Sequence, residues 1–535
     1  MSTPPTPRSL RDDLQRPEAY GRRPPFVIEL IETHISWVFL AEGVVYKVKK
    51  PVNLGFLDHR DLEARKRACE AEVTLNRRLA PHVYFGIVPV RLMAEGALGL
   101  IGDGPIVDWA VHMMRLPEAR RADVLLSRGA LDRAHIDRIA RTLARFHREA
   151  RCDAETARFG EPEAVAVNVR ENFEQMRGSI EKYLRAEEAA EIERSQLAFL
   201  DGNPALFHAR IAAGRVRDGH GDLRLEHVYF EDDKRVTVVD CIEFNDRFRF
   251  ADTCADVAFL SMDLAWHGRV DLAEQLLAAY ARETGDFDLF SLVDFYEGYR
   301  AYVRGKVASM VAADLESGSE AQKKAEEVAR RSFMLSLSAK RAPLMPPSVL
   351  AVGGLIGSGK STLAAALSAE MGAPVVEADR TRKQLLGVEP TAKLFEETFQ
   401  GAYDPSFTQK VYDEVLRRGS KVLESGRPVI LDASFRSVAM RRAARDLAGL
   451  YKVPFRFIEC RPDLEVCRSR LKARRVEREV SDGRLEIFDD FCKIYEAVTE
   501  LSPDEHICVD TGQPLATSIE ALRAAVSAWP RGLVT

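Results

Sequence analysis

Val349-Leu350-Ala351-Val352-Gly353-Gly354-Leu355-Ile356-Gly357-Ser358-Gly359-Lys360-Ser361-Thr362-Leu363 decides how the C-terminal part of the chain is read. An apolar run of strand type leads into G-x-x-x-x-G-K-S and then into an Ala/Leu-rich helical pattern. A phosphate chain is cradled where successive backbone N–H groups turn inward just ahead of a helix N-terminus, and this order of elements supplies both. Gly354, Gly357 and Gly359 free the backbone for that turn, with Leu355, Ile356, Ser358 and Thr362 completing the loop. Lys360 is expected against the β- and γ-phosphates and the Ser361 hydroxyl on a Mg²⁺ ion. A nucleoside triphosphate is the expected ligand.

Working outward, a chain of 535 residues exceeds a single hydrophobic core and predicts several domains. The formal net charge of −5 gives no global electrostatic reason to expect stable nucleic-acid or membrane binding. The 8 cysteines contain no C-x-x-C pair, so neither a zinc site nor a disulfide framework is suggested. Met1 to Pro25 is rich in Pro, Arg and Asp and does not resemble a secretory signal; it predicts a flexible arm. Nowhere do about eighteen apolar residues run together. A reducing, cytoplasmic setting is the expectation.

From Phe26 to Met114 short β-branched and aromatic runs predict strands at Phe26–Ile31, Trp37–Leu40, Val44–Val48, Val83–Leu92 and Ile106–Met114. Ala41-Glu42-Gly43 makes a hairpin turn, and Asp61 to Leu79 reads as a helix carrying Glu70 and Glu72. Helical patterns follow over Asp132–Glu149 and Asn168–Phe199. Val228–Phe230 and Val236–Val239 are strand-like, and helices resume from Ala251 to about Ala339. Three prolines within residues 341–348 mark a linker. The predicted domains are thus 26–340 and 349–535. In the second, strands and helices alternate, which predicts a parallel sheet covered by helices.

Three further features surround the phosphate loop. Asp379-x-x-Arg382 sets a carboxylate, able to accept a hydroxyl proton, beside a guanidinium able to hold an anionic substrate; an N-cap aspartate with a solvated arginine is the alternative. Val429-Ile430-Leu431-Asp432-Ala433-Ser434 ends an apolar strand in a second acidic group for Mg²⁺. Arg461, Arg468, Arg470, Arg474, Arg475 and Arg478 read either as a charged surface helix or as a lid, in which Arg470 and Arg474 share a face and close over the moving phosphoryl group. With these motifs, residues 349–535 resemble the small P-loop kinases, such as polynucleotide kinase and zeta-toxin-like enzymes. That resemblance implies transfer of the γ-phosphoryl of ATP to a hydroxyl, with Asp379 as base.

In the first domain, His220-Gly221-Asp222 with His227, then Val238-Val239-Asp240-Cys241-Ile242-Glu243, sets two carboxylates at strand or loop positions. Tyr46-Lys47-Val48 adds a strand lysine, and Glu72 a helix carboxylate that could pair with it. In combination, residues 26–340 resemble the aminoglycoside phosphotransferase family, whose fold is protein-kinase-like with two lobes. The resemblance implies Asp222 as base, Asp240 on Mg²⁺, and Lys47 with Glu72 at the nucleotide phosphates, with the aspartates between Asp252 and Asp256 bracing the loop. His227 stands where that family has a metal-binding asparagine. A neutral imidazole is a poor ligand for a hard ion, so either Glu243 or Glu226 substitutes or this lobe is weak or inactive.

Together these features predict an α/β and α+β multidomain phosphotransferase using ATP and Mg²⁺ on a small-molecule or nucleotide-type acceptor. The alternative is a nucleotide-gated regulatory protein in which the kinase-like domain is a degenerate sensor.

Overall fold

In the computed structural model, residues 9–53, 57–93, 96–232, 235–337, 342–394, 400–473, 480 and 482–525 are described. The first sheet takes up the hairpins read from the sequence: β1 (Ile28–Glu32), β2 (Ser36–Ala41), β3 (Val44–Lys49), β4 (Tyr84–Leu92), β5 (Leu98–Gly99) and β6 (Ile106–Met114). They are antiparallel in the order β1-β2-β3-β6-β4-β5. Strand β3 is central, so Lys47 lies between Val38 of β2 and Val111 of β6 rather than on an edge. The following helix, Leu62–Asn76, starts where the Asp61 side chain accepts the Ala64 N–H. Its Cys69 and Val73 pack with Tyr84 and Val111 of the sheet and with Val83 just before β4. That packing carries Glu72 inward to face the same strand.

Further on, β7 (Val216–Asp218) pairs antiparallel with β10 (Phe250–Asp252), and β8 (Val228–Phe230) with β9 (Val236–Val238). These two small ribbons flank the His220-Gly221-Asp222 loop and the turn at Asp240. The single helical run expected over Asn168–Phe199 is two helices, Pro162–Met176 and Ala186–Gly202, because Gly178 and Ser179 interrupt the helical pattern between them. A helix at Pro204–Ala212, opened by its proline, was not anticipated. The later helices are Thr253–Trp266, Val270–Thr284, Val293–Asp314 and Glu320–Leu337.

The last sheet is parallel, in the order β12-β13-β11-β14-β15, with β11 Val349–Gly354, β12 Val375–Glu377, β13 Val429–Asp432, β14 Phe455–Cys460 and β15 His506–Val509. Alternation along each strand feeds two cores. Leu350, Val352, Ile430 and Ile458 meet Leu363, Leu367 and Leu522 from the Lys360–Met371 and Leu515–Ala525 helices. On the opposite face Gly419, in the Pro405–Glu424 helix, lets Leu431 and Leu447 close in. The protein is thus a kinase-like fold followed by a P-loop domain with a helix-covered parallel sheet.

Contacts divide the chain into two compact units. One draws on the chain up to Leu131, Arg145–Glu171 and Leu200–Leu260; the other on Asp132–Ala144, Asn172–Phe199 and everything from Ser261 onward. No helix among the described residues is long and apolar enough to cross a membrane.

Candidate active sites

The phosphate loop spans the gap from β11 to the Lys360–Met371 helix. Gly354 has φ of 133° and Gly359 of 89°, and a Cβ on Gly354 would lie 2.6 Å from the Cys460 carbonyl oxygen. Lys360 folds back so that Nζ donates to the Leu355 carbonyl at 2.8 Å. At this loop two buried groups, the Ser358 hydroxyl and Nη1 of Arg470, have no hydrogen-bond partner among the described residues. Arg470 comes from the helix Leu464–Ala473, and a Cβ on Gly359 would lie 3.1 Å from that nitrogen. Its Nη2 donates to the Thr511 carbonyl at 2.6 Å, while the Thr511 hydroxyl donates to the Ser358 carbonyl at 2.6 Å. Thr511 therefore latches loop and arginine together, a role no sequence feature had signalled. Arg474 lies outside the described residues.

Asp432 ends β13 in a buried position. Burial first, then the nearby charges of Glu377 and Asp379, push its carboxyl up to about 7 against the opposing pull of Lys360 and a hydrogen bond from Ser361. Asp379 sits in the first turn of the helix Ala378–Leu385, directly after β12. Glu377, missed in the sequence, accepts from Arg282 at 2.9 and 2.7 Å and from Arg380 at 2.9 Å. Three carboxylates thus converge at the strand ends beside the loop. That crowding suits a divalent cation: Asp432 and Ser361 would hold Mg²⁺, whose charge would offset the repulsion that raises Asp432. Arg382 is turned to its own framework. Its Nη1 donates to the Ala402 carbonyl and its guanidinium lies 4.5 Å from the Tyr403 ring centroid, while Nε has no partner among the described residues.

In the N-terminal site, Lys47 Nζ lies 3.0 Å from Glu72 Oε1 and 2.6 Å from Asp240 Oδ1. Lys49, on the same face two residues on, sits 2.5 Å from Glu72 Oε2 and also pairs with Glu243. This second lysine was not picked out from the sequence, though its spacing dictates the shared face. Lys47 charge first, and His227 further down, hold Asp240 far below the ordinary carboxylate range. Burial works against charge on Lys47, yet Asp240, Glu72 and Glu243 together raise it well above the ordinary lysine value. Asp240 itself has φ of 67°, a left-handed conformation that turns its carboxylate at the end of β9.

Asp222 is gripped by Arg224, whose Nε and Nη2 both donate at 3.0 Å. Burial would raise it, but Arg224 and His227 keep it below the usual value. The loop is braced from behind, as Asp256 accepts the His220 N–H at 2.6 Å and the Gly221 N–H at 2.9 Å. Asp252 accepts from Arg210 at 2.8 and 2.7 Å. His227 Nε2 stands 3.7 Å from Asp240 Oδ2. Of the two acids considered as its substitutes, Glu243 is paired with Lys49 and Glu226 with Arg224. Lys47, Glu72, His227 and Asp240 therefore meet in one cluster, with Asp222 held beside it.

Known proteins repeat this division. The phosphotransferase enzyme family model matches residues 56–296 and the AAA domain model residues 349–498. Uncharacterized proteins of Mycobacterium tuberculosis and Mycobacterium bovis are 34% identical over 450 residues, covering 84% of this chain and 86% of theirs. Among solved structures, a choline/ethanolamine kinase family protein from Mesorhizobium loti matches 58% of this chain and 91% of its own at 13% identity and a TM-score of 0.33. A gluconokinase from Sinorhizobium meliloti matches 34% and 91% at 20% identity and a TM-score of 0.25. Those scores are too low to carry weight. The mycobacterial match is of another order in identity and extent, and with both domain matches it makes this chain a member of that same family, a kinase-type phosphotransferase joining an aminoglycoside phosphotransferase-like domain to a P-loop domain.

Proposed function

We propose that the protein transfers the γ-phosphoryl group of ATP to a hydroxyl of a small molecule at the P-loop site, and that its N-terminal cluster binds a second nucleotide. One observation carries the reading. At the Gly354–Lys360 loop, two buried donors, Ser358 Oγ and Arg470 Nη1, have no partner among the described residues, opposite a carboxylate, Asp432, raised to about 7. A phosphate oxygen satisfies the donors, and a magnesium ion relieves the carboxylate.

Lys360 and the loop amides hold the phosphates, and Asp432 with Ser361 holds the ion, which when bound neutralises charge on the phosphates. Asp379 accepts the acceptor's hydroxyl proton. Arg382 acts on the acceptor side through the Gly401–Tyr403 turn that it braces, and Arg470 and Arg474 stabilise the migrating charge. In the N-terminal cluster Lys47 and Glu72 take the phosphates, Asp240 and His227 the metal, and Asp222 the proton. The linker at 341–348 separates the two catalytic domains.

Full-length protein with γ-labelled ATP, Mg²⁺ and a panel of polyols, sugars, amino alcohols and nucleic-acid 5′ ends tests the reading. Label should appear in one small-molecule class; Lys360→Ala should abolish the transfer made at the P-loop site, and Asp222→Asn any transfer made at the N-terminal cluster. Intact ATP binding with no transfer to any acceptor would overturn it.

A further inference from the structure

At the outer edge of the parallel sheet, β14 and β15 bring together three residues that neither nucleotide site uses. The parallel register sets Glu459 opposite Cys508 and Phe457 opposite His506. His506 and Cys508, two apart on one strand, therefore share a face with Glu459. His506 Nε2 lies 2.9 Å from Glu459 Oε2, Cys508 Sγ 3.7 Å from the same oxygen, and Sγ 3.5 Å from Nε2. One donor atom from each residue falls within 4.8 Å of the others.

We propose that Glu459, His506 and Cys508 form a binding site for a borderline divalent cation of the zinc class, apart from both nucleotide sites. A tetrahedral ion with bonds of about 2.0–2.3 Å to N, O and S needs donor atoms separated by roughly 3.4–3.6 Å. The Cys–His separation already meets that, the Cys–Glu separation exceeds it by about 0.1 Å, and the His–Glu pair has only to open by about half an ångström. The donor set is selective: thiolate and imidazole favour zinc-class ions over Mg²⁺. Glu459 is almost wholly buried and is aimed by the Tyr495 hydroxyl, which donates to its other oxygen at 3.0 Å. The His506 ring is further placed by stacking at 5.8 Å on Phe457. Cys508 is exposed, so the fourth ligand is water. Arg461 stands close, with Nη1 3.8 Å from Sγ and Nε 3.8 Å from Glu459 Oε2, and its charge lowers the affinity.

The spacing of cysteines hid this site, because Glu459 comes from 47 residues upstream of His506 and a histidine with one cysteine makes no pattern alone. The position has a consequence for the P-loop. Strand β15 leads directly to Thr511, the latch on Ser358 and Arg470, and β14 ends at Cys460, whose carbonyl packs against Gly354. An ion at the strand edge pins these two supports together.

The test is cobalt titration of the full-length protein, pre-treated with chelator and kept reduced, in excess Mg²⁺ to fill the hard sites. One equivalent of Co²⁺ should produce a thiolate-to-cobalt charge-transfer band that Zn²⁺ abolishes. Cys508→Ser should remove the band, His506→Ala should weaken Zn²⁺ binding at least tenfold by calorimetry, and Cys152→Ser, at another exposed cysteine, should leave both unchanged. No band in the wild type, or a band that survives Cys508→Ser, overturns the proposal.

Discussion

The Nδ1 atom of His227 lies 2.7 Å from the Asp222 carbonyl oxygen. A carbonyl can only accept, so Nδ1 carries a hydrogen, and a metal ion beside Asp240 would take the lone pair of the other ring nitrogen, Nε2. In a proposed metal site that lone pair suits a transition ion better than Mg²⁺. In a Lys360→Ala background, which silences the loop site, nucleotide binding at the N-terminal cluster should favour Mn²⁺ or Co²⁺ over Mg²⁺. His227→Asn should reverse that preference by about tenfold in calorimetric affinity; unchanged preference would remove His227 from the metal. His220, fully buried nearby, is held neutral by both its ring atoms: Nε2 donates to the Val239 carbonyl at 3.0 Å and Nδ1 accepts the Asp222 N–H at 3.3 Å. Burial first, with His227 adding, lowers its pKa to about 4. A folded value below the unfolded one means that the unfolded chain takes up the proton first. The stability this imidazole contributes is complete above about pH 6.5 and lost on the way down to about pH 4, on the order of 3 kcal/mol in all. Denaturant midpoints should therefore show a gap between wild type and His220→Gln that is widest near pH 7 and narrows toward pH 5. The identity of such residues was plain in the sequence, since Lys47, Asp222, Asp240 and Lys360 follow strand and loop motifs. Their partners were not: Lys49, Arg224 as clamp on Asp222, and Glu377 on Asp432 are set by which strands become neighbours, which composition does not encode.

Elements were legible where their period was strong. The five main strands of the first sheet and the β11 to Lys360 helix unit fall within a few residues of where alternation and the glycine loop put them. The misses share a cause. Strand β15 is only His506–Val509, with an exposed cysteine and a polar first residue, so it carries too few apolar positions to stand out; parallel pairing to β14 makes it a strand. Of the arginine-rich run, the helix Leu464–Ala473 carries Arg468 and Arg470, while Arg474, Arg475 and Arg478 lie outside the described residues. Because β15 was missed, so was the element it delivers, the Asp510–Gly512 turn. The latch predicts a specific loss. Thr511→Val keeps the shape but leaves the Ser358 carbonyl without its donor, a cost of about 1–3 kcal/mol. Since that carbonyl is part of the phosphate loop, Mg²⁺-ATP affinity at this site should fall about tenfold by calorimetry, and Thr511→Ser should restore most of it. An affinity equal to wild type in Thr511→Val would show that the loop holds its form without the latch.

At the scale of the whole chain, the proline-rich stretch at 341–348 looks like the natural place to cut, yet the residues after it are not electrostatically self-sufficient. The second compact unit takes in everything from Ser261 onward together with two earlier segments, and inside it Arg427, 1% exposed at its side chain, pairs with Glu274 at 2.9 Å and Asp294 at 3.0 Å. Both acids lie before the linker, on the Val270–Thr284 and Val293–Asp314 helices. Arg282, on the first of these, likewise supplies the countercharge for Glu377 beside the P-loop site. A guanidinium so deeply buried cannot be left with water in place of its acids. Removing one partner of a buried pair costs about 3–5 kcal/mol, because the remaining charge stays desolvated, whereas replacing the pair by apolar groups of similar size costs far less. Glu274→Ala should therefore lower the melting temperature of the full-length protein sharply, while Glu274→Leu combined with Arg427→Met should recover most of it. The same arithmetic says that a fragment beginning at Val349 will be less stable than one beginning at Ser261, with its Mg²⁺ affinity weakened where Glu377 has lost Arg282. Equal melting temperatures for Glu274→Ala and wild type would mean that Asp294 alone suffices for Arg427.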